Sequence, residues 1–430
     1  MDGDVLVPQA GFLRRTFASL HFRNFRLFFF GQIVSNSGNW LTMVALVLLV
    51  LDRTGSGVAV GLLSACQFGP ILLLSAWGGV LVDRFNKRKL LYITQSLEMA
   101  QSFVLAGLAF MHDAPLILFY LTAIAGGCFL AIDNPVRRSM VNEMVPAADV
   151  PNAVTLYSAM INFSRIVGPL IAGVLVVSVG YGWCFTIDAL SYTTVLVSLS
   201  MMRASELRQL PITPRAPGQI RAGLRYILTV PDLWIPFTML LIIGTISYNF
   251  SVVLPLFIVK GLHENKAAYT YVYAAFSTGG LLGALLVARR STVVIRTVAV
   301  GAVGLGVTML VLSASPNVMF AVVVALAVGA SSVAYMTATT SIAQLRTSRE
   351  MIGRVLSIQT VLLIGTTPIG GPILGALADS VGPRFPIFIG GVGALVAAAF
   401  GVVTARRVAR DTAAPRGAQP EVVAAGSTSA

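Results

Sequence analysis

The chain has 430 residues, 56% of them hydrophobic and only 11% charged, with a mean hydropathy of +0.83 and a formal net charge of +13. A soluble domain carries about 25% charged residues, so the composition excludes a soluble globular protein and indicates a polytopic membrane protein. The positive charge does not indicate nucleic acid. The cations sit in short segments between apolar runs, where they orient a chain in a bilayer.

Residues 1–26 form a short lead carrying Arg14, Arg15, Arg23 and Arg26. The first apolar run is too long for a cleavable signal-peptide core and reads as a retained span. Apolar runs predict spans near 27–51, 58–82, 90–111, 115–132, 152–178, 183–202, 233–259, 267–287, 297–315, 318–340, 355–378 and 386–403. Each is near the roughly 20 residues needed to cross a bilayer. The expected fold is an all-α membrane protein of twelve transmembrane helices in two six-helix halves, 27–202 and 233–403. With both termini inside, 25 of the 30 lysines and arginines fall in inner segments. Arg53, Lys260, Lys266 and Arg384 fall in outer ones, and Arg165 lies within a span. That asymmetry places both termini in the cytoplasm, and the expected location is the plasma (inner) membrane.

The inner loop after span two, Gly79-Val80-Leu81-Val82-Asp83-Arg84-Phe85-Asn86-Lys87-Arg88-Lys89, carries one acid and four cations. By its charges alone it is a topology-setting hairpin. The midpoint segment 203–232 reads as a cytoplasmic linker, extended where Pro211, Pro214 and Pro217 fall, with a short surface helix over Gln219–Leu228. The tail, 404–430, is rich in Ala, Gly, Ser, Thr and Pro beyond Arg410 and is expected to be disordered. The halves resemble one another: Gly168-Pro169 in span five and Gly371-Pro372 in span eleven occupy corresponding places, as expected of parallel repeats.

Cys66, Cys128 and Cys184 are odd in number and widely spaced, which indicates neither a disulfide framework nor a metal site. His21, His112 and His263 lie in loops or near the N-terminus, so no intramembrane His–acid constellation is present in the sequence. No catalytic residue, cofactor or metal is expected, and an enzyme lacks its nucleophile–base cluster here. A sensor or scaffold would need a soluble domain or a sizeable interaction segment.

The intramembrane charges carry the functional reading. Arg165 lies ~20 Å into a ~30 Å core, on one helical face with Ser158 and Asn162. Such a residue faces a bundle interior or a wet cavity, or is satisfied structurally by neighbouring carbonyls. Glu98 lies ~12 Å from the cytoplasmic end of span three, and is either a titrating acid or a structural hydrogen-bonding group. It is the nearest candidate acid for Arg165. Asp188 sits ~8 Å from the outer end of span six. Asp133 and Arg137 read as an i, i+4 pair at the cytoplasmic face, structural in role. Polar interruptions at Asn36, Asn39, Asn162, Asn249 and Tyr335 suggest a cavity for amphipathic organic molecules, although each could equally hold helices together.

The pattern Gly79-x-Leu81-x-Asp83-Arg84-x-x-Lys87-Arg88 resembles the signature loop of the major facilitator superfamily, with Asn86 in place of the usual Gly. Three further stretches resemble its enterobactin-exporter and macrolide-efflux branch. They are Arg23-Asn24-Phe25-Arg26-Leu27 with Ser35 to Trp40, Asp133 to Arg138 with Pro151 to Val154, and Gly353-Arg354-Val355 leading into Gly370-Gly371-Pro372. The stretch Gly168, Pro169 and Gly173 is similar to the helix-bend motif of the superfamily's antiporters. The resemblance implies a secondary active transporter exporting a small drug- or siderophore-like molecule by alternating access, with protons as the coupling ion. It makes Gly79, Asp83, Arg84 and Arg88 a conformational switch, in which Asp83 docks near Gly353-Arg354. It also implies that spans one, four, seven and ten line the cavity. One feature departs: many proton-coupled drug antiporters carry an Arg within span four, and Leu116 to Ile132 holds no cation. That moves the role to Arg165 or leaves proton coupling open. An importer or lipid flippase on the same fold remains the alternative.

Overall fold

The helices are longer than the apolar runs that predict them. The structure, a computed structural model, describes residues 16–111, 113–208, 219–288, 293–348 and 350–413, without the side chains of 75–84, 219–220, 288, 409 and 411–413. In the first half the helices are α1 (Arg23–Thr54), α2 (Gly57–Arg84), α3 (Lys87–Phe110), α4 (Leu116–Glu143), α5 (Val150–Ser178) and α6 (Tyr181–Met201). A short linker helix, α7 (Gln219–Thr229), follows. The second half holds α8 (Pro231–Ile246), α9 (Phe250–Leu256), α10 (Lys266–Ala288), α11 (Ile295–Ser313), α12 (Val318–Arg346), α13 (Ile352–Ile364), α14 (Thr367–Ser380) and α15 (Phe385–Ala413). No strand occurs among the described residues.

Eleven stretches are long and apolar enough to cross a membrane, taking α8 with α9 and α13 with α14 as one stretch each. The remaining long helix, α3, has 24 residues and packs against α4 and α6. Its apolar character is diluted by Thr94, Gln95, Glu98, Gln101 and Ser102.

Local chemistry sets the breaks. Gly55 ends α1 in a left-handed conformation, φ 59°, which glycine adopts without a Cβ penalty. The turn between α2 and α3 is only Phe85-Asn86. Asn86 has φ −61°, so it does not stand in for glycine in a left-handed turn; its Oδ1 accepts from the Lys89 N–H and caps α3. Span seven breaks at Ser247, Tyr248 and Asn249. The break in span eleven falls at Gly365-Thr366, ahead of Pro368 in the first turn of α14, and not at Gly371-Pro372. Helix α5 runs through Pro169 uninterrupted.

Small residues let helices approach within and between the halves. On α10, a Cβ at Gly279 or Gly283 would stand 1.9 or 2.0 Å from the carbonyls of Leu326 and Ala330 on α12. The linker helix lays Gly223 on Arg354 and Ile358 of α13. Between the halves, α2 packs on α14 and α5 on α10. Both seams lie toward the face opposite the chain termini, here the far face. A Cβ at Gly375 would meet the Gly57 carbonyl at 2.1 Å, and one at Gly173 would meet Thr270 Oγ1 at 2.0 Å. Toward the termini face, Thr155, Ser158 and Asn162 of α5 and Ser357 and Thr360 of α13 are exposed. The halves therefore close at the far face and part toward the termini.

Candidate functional site

Helix α4 extends eleven residues past Ile132, through Asp133 to Glu143. The absence of a cation from span four is thereby corrected: the helix carries Arg137. The expected interfacial pair is buried, with Asp133 0% and Arg137 3% exposed. An apolar-run criterion ends the span at the first charge, whereas the charges here satisfy one another inside the bundle.

Helices α1, α3 and α4 converge on this guanidinium. Arg137 Nε pairs with Asp133, and Nη2 stands 3.4 Å from Glu98 Oε2. Nη1 donates to Gln32 Oε1 and Asn36 Oδ1 of α1, both at 3.0 Å. Asp133 also accepts from Thr94 Oγ1 at 2.7 Å and Gln95 Nε2 at 2.9 Å. The polar stripe of α3 thus faces α4. Glu98 belongs to Arg137, which corrects its expected pairing with Arg165. A third acid is close: Asp188 of α6 accepts from Thr42 and Ser102 hydroxyls at 2.7 Å each and has no cation of its own among the described residues. Glu98 Oε1 and Asp188 Oδ1 accept no hydrogen bond. Glu98 and Asp133 therefore share one buried guanidinium, and Asp188 is a further buried acid held by hydroxyls. An unneutralised charge in such a buried site costs several kcal/mol.

Arg165 sits elsewhere, on the inter-half face of α5. Its guanidinium lies over Trp40 of α1 at 5.5 Å and Phe276 of α10 at 5.6 Å from the ring centroids. Tyr273, Phe250 and Tyr335 continue this aromatic cluster, with Trp40–Tyr273 and Tyr248–Tyr335 both at 6.4 Å. No hydrogen bond or ion pair of Arg165 occurs among the described residues, and its Nε is buried without a partner.

The predicted cavity residues divide. Asn36 holds Arg137, and Asn39 donates to Tyr192 Oη at 3.3 Å. Asn162 is exposed on α5 and donates to the Ser158 carbonyl. Asn249 is buried, donates to the Thr245 carbonyl at 2.8 Å and packs against Gly370, so it joins helices. Tyr335 is buried in the aromatic cluster with its hydroxyl unpartnered. Gly168 packs on Ser37 and Trp40, while Gly371 faces Gly61 across the halves.

In the basic loop between α2 and α3, Arg88 donates to the carbonyls of Leu199 and Ser200 and so closes the end of α6; Lys87 pairs with Glu143. The side chains of Gly79, Asp83 and Arg84 lie outside the described residues. At the far face is a counterpart that the sequence reading missed. Asp379, at the end of α14, accepts from the N–H groups of Gly57 and Val58 at the start of α2, at 2.8 and 3.0 Å, and from Ser56 Oγ at 2.9 Å. Lys260 Nζ donates to it at 3.1 Å and to the Gly55 carbonyl at 2.7 Å. Lys266 pairs with Asp52 at 2.8 Å across the same seam. The signal was present: Gly375-Ala376-Leu377-Ala378-Asp379 repeats the Gly-x-Leu-x-Asp of Gly79–Asp83.

Two helical halves clasped at one face and parted at the other, with a charge cluster inside one half and a cation between them, define a secondary transporter of the major facilitator fold. The chain belongs to the family of transmembrane secretion effectors, whose profile matches residues 14–425. It is 26% identical over 263 residues to the staphyloferrin A transporter of Staphylococcus aureus, covering 61% of this chain and 66% of that one. It is 26% identical over 374 residues to the multidrug efflux pump Tap of Mycolicibacterium fortuitum, covering 83% and 89%. With macrolide efflux protein A of Streptococcus pyogenes it shares 22% over 376 residues, covering 84% and 92%. Among solved structures, a bacterial homologue of the lysosomal transporter Spinster, inward-facing and unoccupied, superposes with a TM-score of 0.71 at 15% identity, covering 91% and 98%. A peptide transporter of the POT family in complex with sulfate gives 0.73 at 15%, covering 94% and 97%.

Proposed function

We propose that the chain exports small amphipathic molecules, drug- or siderophore-like, from the cytoplasm in exchange for protons. In this reading the termini face is cytoplasmic, the membrane is the plasma (inner) membrane, and α3 is the twelfth crossing. Relatives that are efflux pumps along most of their length support export. The observation that carries the coupling is the Glu98–Arg137–Asp133 cluster. A proton on Glu98 removes the looser of the two carboxylates from Arg137 and changes what that guanidinium offers Gln32 and Asn36. Those residues stand on α1, the helix that also carries Trp40 to the inter-half surface. Proton occupancy on α3 is thus tied to the helix that meets the substrate path.

The rocking of the halves then has a device at each end. In the present arrangement Asp379 clasps the start of α2 and shuts the far face. In the opposite arrangement Asp83 docks at the start of α13 near Gly353-Arg354, and the termini face shuts. Asp379 meets a helix start, where unpaired N–H groups supply partial positive charge, and in this reading Asp83 would do the same.

The test is accumulation of a panel of macrolides, amphipathic dyes and siderophores in cells with the gene deleted or overexpressed. Overexpression should lower the level of at least one class, and deletion should raise it. Equal levels in both strains remove the export reading, and higher levels on overexpression make the chain an importer.

A further inference from the structure

We propose that Arg165 is the docking point for an anionic group on the transported molecule, so that the favoured cargo pairs a carboxylate, or an acid of like geometry, with an aromatic or flat apolar body. This rests on the transporter reading above and narrows its substrate class.

The argument begins with an unmatched charge. The acids within the spanning helices whose side chains are described are engaged elsewhere. Glu98 and Asp133 hold Arg137, Asp188 is bound by Thr42 and Ser102, Asp379 holds Lys260, and Asp232 pairs with Arg346. Arg165 lies on the inter-half surface, between Trp40 of the first half and Phe276 of the second, with its Nε buried and unpartnered. Cation–π contacts with Trp40 and Phe276 offset part of its desolvation but leave its N–H donors unused. A planar guanidinium with free donors matches a carboxylate through two parallel hydrogen bonds.

Position makes the group reachable. The Gly173–Thr270 seam lies eight residues further along α5, about 12 Å nearer the far face. Asn162, one turn the other way, is exposed on the strip that opens toward the termini. Arg165 itself is half-buried. It therefore stands at the blind end of the opening, where a molecule entering from the termini side stops. The part-exposed aromatic rings there come from both halves, Trp40 from the first and Tyr248 from the second, backed by the buried Tyr273 and Phe276. A flat apolar body lodged among them would touch both halves while its acid engages Arg165.

The test uses the full-length chain in nanodiscs and a matched trio of probes: 2-naphthoate, 2-naphthamide and 2-naphthylmethylammonium. Equilibrium dialysis against empty nanodiscs corrects for partition into lipid. The expected order is naphthoate over naphthamide over the ammonium. Arg165→Gln should weaken naphthoate about tenfold or more, as for loss of a charge-assisted hydrogen-bond pair, and leave naphthamide unchanged. Arg165→Lys should recover part of the naphthoate binding. The wild-type order alone is decisive if the variants do not fold. Equal binding of acid and amide, preference for the ammonium, or no saturable naphthoate binding in the low millimolar range overturns the proposal. Because binding is read without transport, the acid preference can hold while cellular export fails, and export can hold while the preference fails.

Discussion

Asp379→Asn should loosen the far face by an amount that the clasp itself sets. The substitution keeps one acceptor oxygen but removes the charge that Lys260 faces, and it places an amide NH₂ against the backbone donors at Gly57 and Val58. The Lys260 and Asp379 side chains are 35% and 26% exposed, so the ion pair contributes at most about 1 kcal/mol. The contact with the start of α2 behaves as an N-cap and contributes about 1 kcal/mol more. A combined loss of roughly 1–2 kcal/mol shifts the equilibrium between closed and open far face by about 5- to 30-fold. The assay is maleimide labelling of Thr270→Cys in a background without Cys66, Cys128 and Cys184. Thr270 is fully buried in the seam, so labelling reports its opening. Labelling should accelerate about tenfold with Asp379→Asn and less with Lys260→Gln, which leaves the backbone contacts in place. A rate within twofold of the parent would refute the clasp as the element that holds this face shut.

Further outcomes follow from the same geometry. Gly375→Ala places a Cβ 2.1 Å from the Gly57 carbonyl, a backbone atom that cannot rotate away, so it should speed labelling of the Thr270→Cys probe more than Asp379→Asn does. Asp83→Asn should do the reverse, slowing labelling of the same probe as the population moves toward the present arrangement; unchanged accessibility on both faces with normal transport counts against a switch there. Asn86→Ala removes the cap of α3 and should cost about 1 kcal/mol, read as a lower unfolding temperature with substrate affinity preserved. Cysteine introduced at Arg221 should label only from the cytoplasm and at His263 only from outside, and labelling of both from one side excludes the assigned topology.

Most of the helical framework was legible because the bilayer demands about twenty apolar residues per crossing and leaves basic segments on one side. The chemistry was legible only in part, for a physical reason. Arg137 follows Asp133 after the apolar run ends, and a run-based reading puts both at the interface. Only the fold shows that Thr94, Gln95, Gln32 and Asn36 supply the partners that let the pair stay buried. Glu98 stood out as an intramembrane acid, but its partner is set by which helices pack, and α3 packs on α4 and α6. The recurrence of Gly-x-Leu-x-Asp at the ends of α2 and α14 was visible in the residues. It escapes a comparison of the halves as parallel repeats, because it relates the second span of one half to the fifth span of the other.

The proton-coupled export account is tested most directly in inside-out membrane vesicles with an acidified lumen, using a compound whose cellular level falls on overexpression. Wild-type vesicles should accumulate it, nigericin should abolish the accumulation, and Glu98→Gln vesicles should exchange labelled for unlabelled compound yet fail to concentrate it. Accumulation that persists after nigericin, or that Glu98→Gln supports in full, would contradict the account.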